Sequence, residues 1–513
     1  MDRVLVDPSA GHKKTSSSVQ KNYIFGCVSS ILILISSFVL GWVPPEGMWG
    51  SQFFLNLRLN YPVVLIAVCM MVLGTIGLLR SWLHIATELR PWQEGSLQAV
   101  QKAFYYWATP LIFTLPMFSR DVYAYIAQGR LVNSGYNPYT TGTSAIPGWF
   151  YMGADPMWSE SRTPYGPLFL FMSNIVYVVS GGHPETAVLL FRAIALAGVV
   201  LLFIYIPKVA LQNDQNPAKA LWVTALCPLF LFHFIVSCHN DALMMGFLVA
   251  GIYFMLSDRP IAGLLLLSLS IAIKPITLIA IPFFGLMWAG YRDTWPERIK
   301  YWTLSSVIAL GPVIIMGFAA GWGIGWVAAF GTPGQATHWY APVVLTRDFL
   351  LNFFGPLGVS PDSLLVVVKN IALLLAACFC AYLVLGANHL GLTQRMFYAF
   401  TAVVLSSTVI HPWYMLWLLV LWGITGVEYG TRMILYIWIV AFFLVNAMLD
   451  PLDISILLKG HTLITWLVGV LTVIGIYYCV FLDKHMKSFF LQGSYDYATD
   501  KPEVIAGLQK VAT

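Results

Sequence analysis

About fourteen apolar segments follow one another along the 513-residue chain, near 23–43, 61–80, 101–118, 187–207, 220–238, 241–257, 260–273, 275–291, 301–320, 364–387, 396–410, 413–427, 432–448 and 462–482. A bilayer core about 30 Å thick takes roughly 20 apolar residues per helix, and packed or broken helices can be shorter. Composition agrees: 58% of residues are hydrophobic and only 10% are charged, against about 25% charged in soluble domains. That balance excludes an ordinary cytosolic enzyme, a nucleic-acid binder and a disordered chain. The expected fold is an all-α polytopic membrane protein with about 14 transmembrane helices. The seven cysteines form no CxxC pair or other metal spacing, so they read as small packed or lipid-facing residues.

Lys and Arg set the orientation. With the N-terminus inside and the extra apolar piece 166–181 not crossing, nineteen of the 28 Lys and Arg face the cytoplasm. They include Lys13, Lys14 and Lys21 before the first span, which reads as a retained helix. If 166–181 crossed, Lys208, Lys219, Arg292, Arg298 and Lys300 would move outside and the bias would collapse. The segment is therefore expected to be re-entrant or interfacial. The chain then divides into a cytoplasmic arm (1–22), one transmembrane unit (23–482) and a cytoplasmic tail (483–513). Two long external loops, 119–186 and 321–363, interrupt the unit.

Polar side chains gather at the outer ends of the spans. Ser119-Arg120-Asp121 opens a short segment in which Val122, Tyr125, Ile126 and Gly129 recur at helical spacing. Ser119 suits a helix N-cap, and a carboxylate in the first turn is favoured by the helix dipole. An aspartate held at the membrane–water boundary can meet a lipid-borne donor and an aqueous acceptor. Thr163-Pro164-Tyr165-Gly166-Pro167 is a stiff turn. His239-Asn240-Asp241 puts three polar side chains in a tight hairpin, costly near lipid unless partnered or used. Lys274-Pro275 and His411-Pro412-Trp413-Tyr414 complete the set, with His338, Trp339, Tyr340 and Arg347 in the second loop. Each alone also fits a structural role: a helix-start charge, a turn, a snorkelling lysine or an aromatic belt. Span parity places all of them on one face.

The chain has no GxxxxGK[ST] loop, and Gly321-Trp322-Gly323-Ile324-Gly325 lacks the strand context of a dinucleotide fingerprint. It also has no DxD pair, and no HExxH or clustered His and carboxylate set that argues for a transition metal. A nucleotide donor is not expected, nor is a metal site or a cofactor.

Phe118-Ser119-Arg120-Asp121, the following Tyr123-Ala124-Tyr125-Ile126-Ala127-Gln128-Gly129 and Asn137-Pro138-Tyr139 resemble the first external loop of the polyprenol-phosphate-mannose-dependent α-1,6-mannosyltransferases. These are GT-C superfamily enzymes of lipomannan and mannan backbone synthesis in actinobacterial envelopes. Thr163–Pro167, His239–Asp241, Ile273-Lys274 and Pro412–Tyr414 fall in the family's order, so the resemblance covers roughly 100–427. The 321–363 loop matches poorly, and no role carries over to His338 or Arg347.

The resemblance implies a GT-C-type fold and inverting transfer of mannose from a polyprenyl phosphate to a hydroxyl of a membrane-anchored glycan, at the external face of the plasma membrane. Direct displacement needs one general base, for which Asp121 is the candidate. The leaving phosphate needs positive charge and N–H donors, for which Arg120, His239, Lys274 and His411 are available. Expected substrate-binding residues are Tyr123, Tyr125, Asn137, Tyr139, Tyr165, Asn240, Asp241, Trp413 and Tyr414. Two alternatives stand beside this reading: a GT-C transferase for another lipid-linked sugar, and a lipid or glycan transporter.

Overall fold

The computed structural model describes residues 17–44, 47–89, 92–290, 294–327, 336–454 and 462–484. Most of the expected N-terminal arm and C-terminal tail, with Lys13, Lys14 and Arg292, lies outside those residues. The first half of the chain runs α1 (Ser17–Leu40), α2 (Gln52–Leu59), α3 (Tyr61–Leu89), α4 (Ser96–Ile112), α5 (Asp121–Asn133), α6 (Pro167–Ser180), α7 (Pro184–Gln212), α8 (Pro217–Val223), α9 (Pro228–Val236) and α10 (Asp241–Leu256). The second half runs α11 (Pro260–Ile273), α12 (Pro275–Ala289), α13 (Trp295–Ala319), α14 (Pro342–Phe354), α15 (Pro361–Leu385), α16 (Leu392–Leu405), α17 (Pro412–Thr425), α18 (Thr431–Ile454) and α19 (Thr462–Tyr477). No strand occurs among the described residues.

Every apolar segment expected from the sequence falls on a helix, but few of these helices are long. Only α1, α3, α7, α13, α15 and α18 have the length and apolarity to cross a bilayer unaided. The pair α8 and α9, bent by 55° at its break, makes a seventh. The reason lies in the prolines. Pro228, Pro260, Pro275 and Pro412 each stand at the start of a helix. A proline there lacks only an N–H that no preceding turn could use, while deeper in a helix it would break the ladder. Long apolar stretches are thereby cut into short helices whose ends meet inside the protein.

The centre of the bundle is α8, α9, α10 and α17, where nearly every side chain is buried. Around it, α13 and α15 turn apolar faces outward, as suits helices whose solvent is lipid tails. Two close approaches fix this packing. A Cβ on Gly198 of α7 would stand 2.3 Å from the Leu243 nitrogen of α10, so only glycine fits there. Trp82 and Trp222 stack at 5.0 Å, and each donates its indole N–H to the other's backbone oxygen, at 2.8 and 2.7 Å.

Candidate active site

Three of the helix breaks and one loop bring the sequence's polar motifs together. Helix α5 starts at Asp121, whose backbone N–H donates to Ser119 Oγ at 3.2 Å, so the cap operates one residue earlier than a regular N-cap. The face expected to be apolar (Val122, Tyr125, Ile126 and Gly129) is indeed buried. A Cβ on Gly129 would lie 2.2 Å from the Ser173 oxygen, which lets α5 rest directly on α6. The stiff turn before α6 is tied down by the Gly166 N–H, which donates to Ile273 O at 2.9 Å. That bond sets Tyr165 beside Lys274, at the end of α11.

The result is a cleft whose lining includes Asp121, Gln128, Asp155, Trp158, Ser161, Arg162, Tyr165, Lys274, His411, Trp413 and Tyr414. Its interior is small, about 70 Å³, room for about two waters.

Behind Asp121 lies a line of buried charge. His239 Nδ1 stands 3.5 Å from Asp121 Oδ2 and 4.0 Å from Asp241 Oδ2. Lys274 Nζ donates to both oxygens of Asp241, at 2.9 and 3.1 Å, and Trp417 Nε1 donates to Oδ1 at 2.7 Å. The ammonium also faces the Tyr414 and Trp417 rings at 5.1 and 5.2 Å. Trp413 is sandwiched between His239 and His411, with centroids 4.0 and 4.2 Å away.

Several expected roles shift. Arg120 does not face Asp121 or the cleft. Its Nε and Nη2 donate to Gly153 O and Ala154 O, both at 3.2 Å, and its guanidinium lies 4.1 Å over the Trp42 ring. His239 and Asp241 have no exposed surface, and Asn240 almost none; the three stand behind the cleft wall. Tyr123 donates to Trp42 O, Tyr139 to Tyr165 O and Tyr125 to Asn240 Oδ1, and all three are buried struts. Asn137 closes its own turn by accepting from the Tyr139 N–H. Arg347 is paired with Asp348. His338 and Tyr340 bracket Ile410 O at 3.1 and 2.9 Å, clamping the second loop onto the start of α17. Of the expected residues, Asp121, Tyr165, Lys274, His411, Trp413 and Tyr414 line the cleft.

Sequence reasoning missed three residues. Trp417 and Arg162 stand in no polar motif singled out above, and neither does Arg192. Arg192, buried in α7, donates to Ile112 O, Val236 O and Cys238 Sγ at 2.8, 3.0 and 3.2 Å. It steadies Cys238, a non-glycine residue at φ 55° immediately before His239, in a conformation that needs outside support.

The helix dipole alone would favour an ionised Asp121. Instead burial dominates: it pushes Asp121 up to about 7, with Asp241 and Asp155 adding and Lys274 and Ser119 opposing. A base that keeps its proton below that point cannot take another. Transfer is therefore expected to rise with unit slope as pH climbs towards about 7 and to level above it. A pH–rate profile in kcat/KM that stays flat between pH 5.5 and 8.5 would remove Asp121 from the chemistry.

A family model described as "Alpha-(1->6)-mannopyranosyltransferase, N-terminal domain" matches residues 23–290, the stretch from α1 to the end of α12. Alpha-(1->6)-mannopyranosyltransferase A of Mycobacterium tuberculosis is 30% identical over 290 residues, 55% of this chain and 56% of its own length. A probable alpha-(1->6)-mannopyranosyltransferase of Mycolicibacterium smegmatis is 26% identical over 444 residues, 79% of this chain and 78% of its own. Alpha-(1->6)-mannopyranosyltransferase A of Corynebacterium glutamicum is 31% identical over 224 residues, 42% of this chain and 45% of its own. The matched region thus spans about half the length of the two A-type relatives. No solved structure matches the chain. The matched half holds Asp121, His239, Asp241 and Lys274, and by that match the chain belongs to the alpha-(1->6)-mannopyranosyltransferase family.

Proposed function

We propose that the cleft catalyses transfer of mannose from a polyprenyl-phosphate donor to a hydroxyl of a membrane-anchored α-1,6-mannan acceptor, with inversion, at the external membrane face. One observation carries the reading. Asp121 is a carboxylate at the cleft surface, 24% exposed, backed by His239 and poised near neutrality by burial. The acceptor O–H gives its proton to Asp121 while its oxygen bonds to the sugar's anomeric carbon. The bond from that carbon to phosphate oxygen breaks, and the polyprenyl phosphate leaves with the electron pair. Asp155, the other cleft carboxylate, accepts the Met157 N–H at 3.0 Å as a turn cap. A single displacement needs only one base, and Asp121, with no helix-capping bond on its carboxylate, is the better placed of the two. Tyr165, Trp413 and Tyr414 border the cleft that the sugar would approach, and the apolar helix faces beyond would accommodate the lipid tail. The all-helical, membrane-type architecture supports reading the protein as a GT-C-type enzyme. Purified protein in vesicles, given polyprenyl-phosphate mannose and a short α-mannoside, should extend the mannoside. Extension from GDP-mannose instead, or none, overturns the reading.

An external site requires 119–186 to lie outside. Helix α6 has 14 residues, about 21 Å at 1.5 Å per residue, too short to cross alone. In a cysteine-depleted variant, Glu160→Cys should react with an impermeant maleimide added outside, and Gln212→Cys only after permeabilisation. Reaction of both from one side would invert or break this topology.

A further inference from the structure

The donor's leaving group requires a cation, and the residues expected to supply it are mostly committed elsewhere. Arg120 is engaged by two carbonyls and the Trp42 ring. His239 is enclosed behind the wall, stacked on Trp413. Lys274 lines the cleft, but its side chain is 8% exposed and both its short contacts go to Asp241. It serves as that carboxylate's counter-ion.

Arg162 is different. It lines the same cleft, is exposed, and among the described residues makes no hydrogen bond, ion pair or ring contact. Its neighbours hold the backbone firmly: the Ser161 N–H donates to Trp158 O and the Thr163 N–H to Pro138 O, both at 3.1 Å. The guanidinium is thus a free head on a fixed stem.

Charge makes the need concrete. With Asp121 ionised, Asp121, Asp155 and Asp241 face Lys274, with Arg120 attracting Asp155 from outside the cleft. Without Arg162, these groups still carry a surplus of negative charge. A phosphodiester enters with one negative charge and leaves as a monoester with up to two, so this wall would repel the product of the bond-breaking step most strongly. A planar guanidinium with five donors, able to grip two phosphate oxygens at once, offsets that charge where the phosphate sits.

We infer that Arg162 is the residue that binds the donor's phosphate and takes up the charge of the leaving group, Lys274 being the internal counter-ion of Asp241. The inference rests on the proposed donor class, and the experiment separates the two. Two quantities are measured on the full-length protein in detergent: steady-state transfer, and direct binding of sugar-free polyprenyl phosphate. Arg162→Gln should raise the donor KM and weaken inhibition by polyprenyl phosphate by about ten- to a hundredfold, with the acceptor KM and the pH profile unchanged. Arg162→Lys should recover part of the loss, as a point charge without the fork. An unchanged donor KM and unchanged inhibition in Arg162→Gln overturn the assignment. If the wild-type protein transfers nothing from this donor, the proposed function fails by itself. Polyprenyl phosphate binding that Arg162→Gln abolishes then still supports the phosphate site, and binding equal in the two proteins overturns it.

Discussion

Asp121→Asn is expected to reduce sugar transfer by about 10²–10⁴-fold, the usual worth of a general base, while the protein still inserts and folds. The substitution keeps shape and removes basicity, and the site tolerates a neutral group: burial already holds Asp121 part-protonated near pH 7. Its backbone N–H to Ser119 Oγ remains, so α5 keeps its start. Only the proton-accepting step is lost. Asp241, a rival on sequence grounds, is enclosed by Lys274 and Trp417 and has no surface to offer an acceptor. The real competitor is Asp155, which shares the cleft. An assay of transfer onto a short α-mannoside decides between them. Near-normal turnover in Asp121→Asn together with a dead Asp155→Asn would hand the base's role to Asp155.

Much of the site was legible before any fold was known, because five polar motifs stood at helix ends in a chain with little other charge. Proline explains why they converge: Pro275 and Pro412 start helices just after Lys274 and His411, so the residues carrying the chemistry sit at breaks. What the sequence hid were the partners. Arg120 adjoins Asp121 in the chain, but it precedes the first helical turn and its side chain runs off towards Trp42. Lys274 and Asp241 are 33 positions apart, and no local spacing announces such a pair. Trp417 looks like any aromatic in an apolar run until its N–H is seen on Asp241. Among the described residues six helices, or seven with the bent pair, are long and apolar enough to cross a bilayer alone. Hydropathy does not separate a helix surrounded by lipid from one surrounded by protein, and α17 and α10 are of the second kind.

Breaking the Asp241–Lys274 pair from one side should be the most damaging change to the fold near the site. The two side chains are 0% and 8% exposed. Losing one partner of such a pair leaves an uncompensated buried charge, at a cost of about 3–5 kcal/mol. Lys274→Ala and Asp241→Asn are therefore each expected to lower the unfolding midpoint sharply, with Lys274→Ala worse because it strands the carboxylate. The combination Asp241→Leu with Lys274→Met removes both charges and fills the space with apolar groups, so most of the stability should return. Activity should not. Asp241 Oδ2 lies 4.0 Å from the His239 ring that backs Asp121, and Lys274 is one of the two groups that offset the burial of Asp121. A refolded but inactive double variant is the expected outcome. If the double variant is as unstable as Lys274→Ala, a stranded charge is not the source of the loss. If it is stable and fully active, the ammonium and carboxylate have no part in poising Asp121.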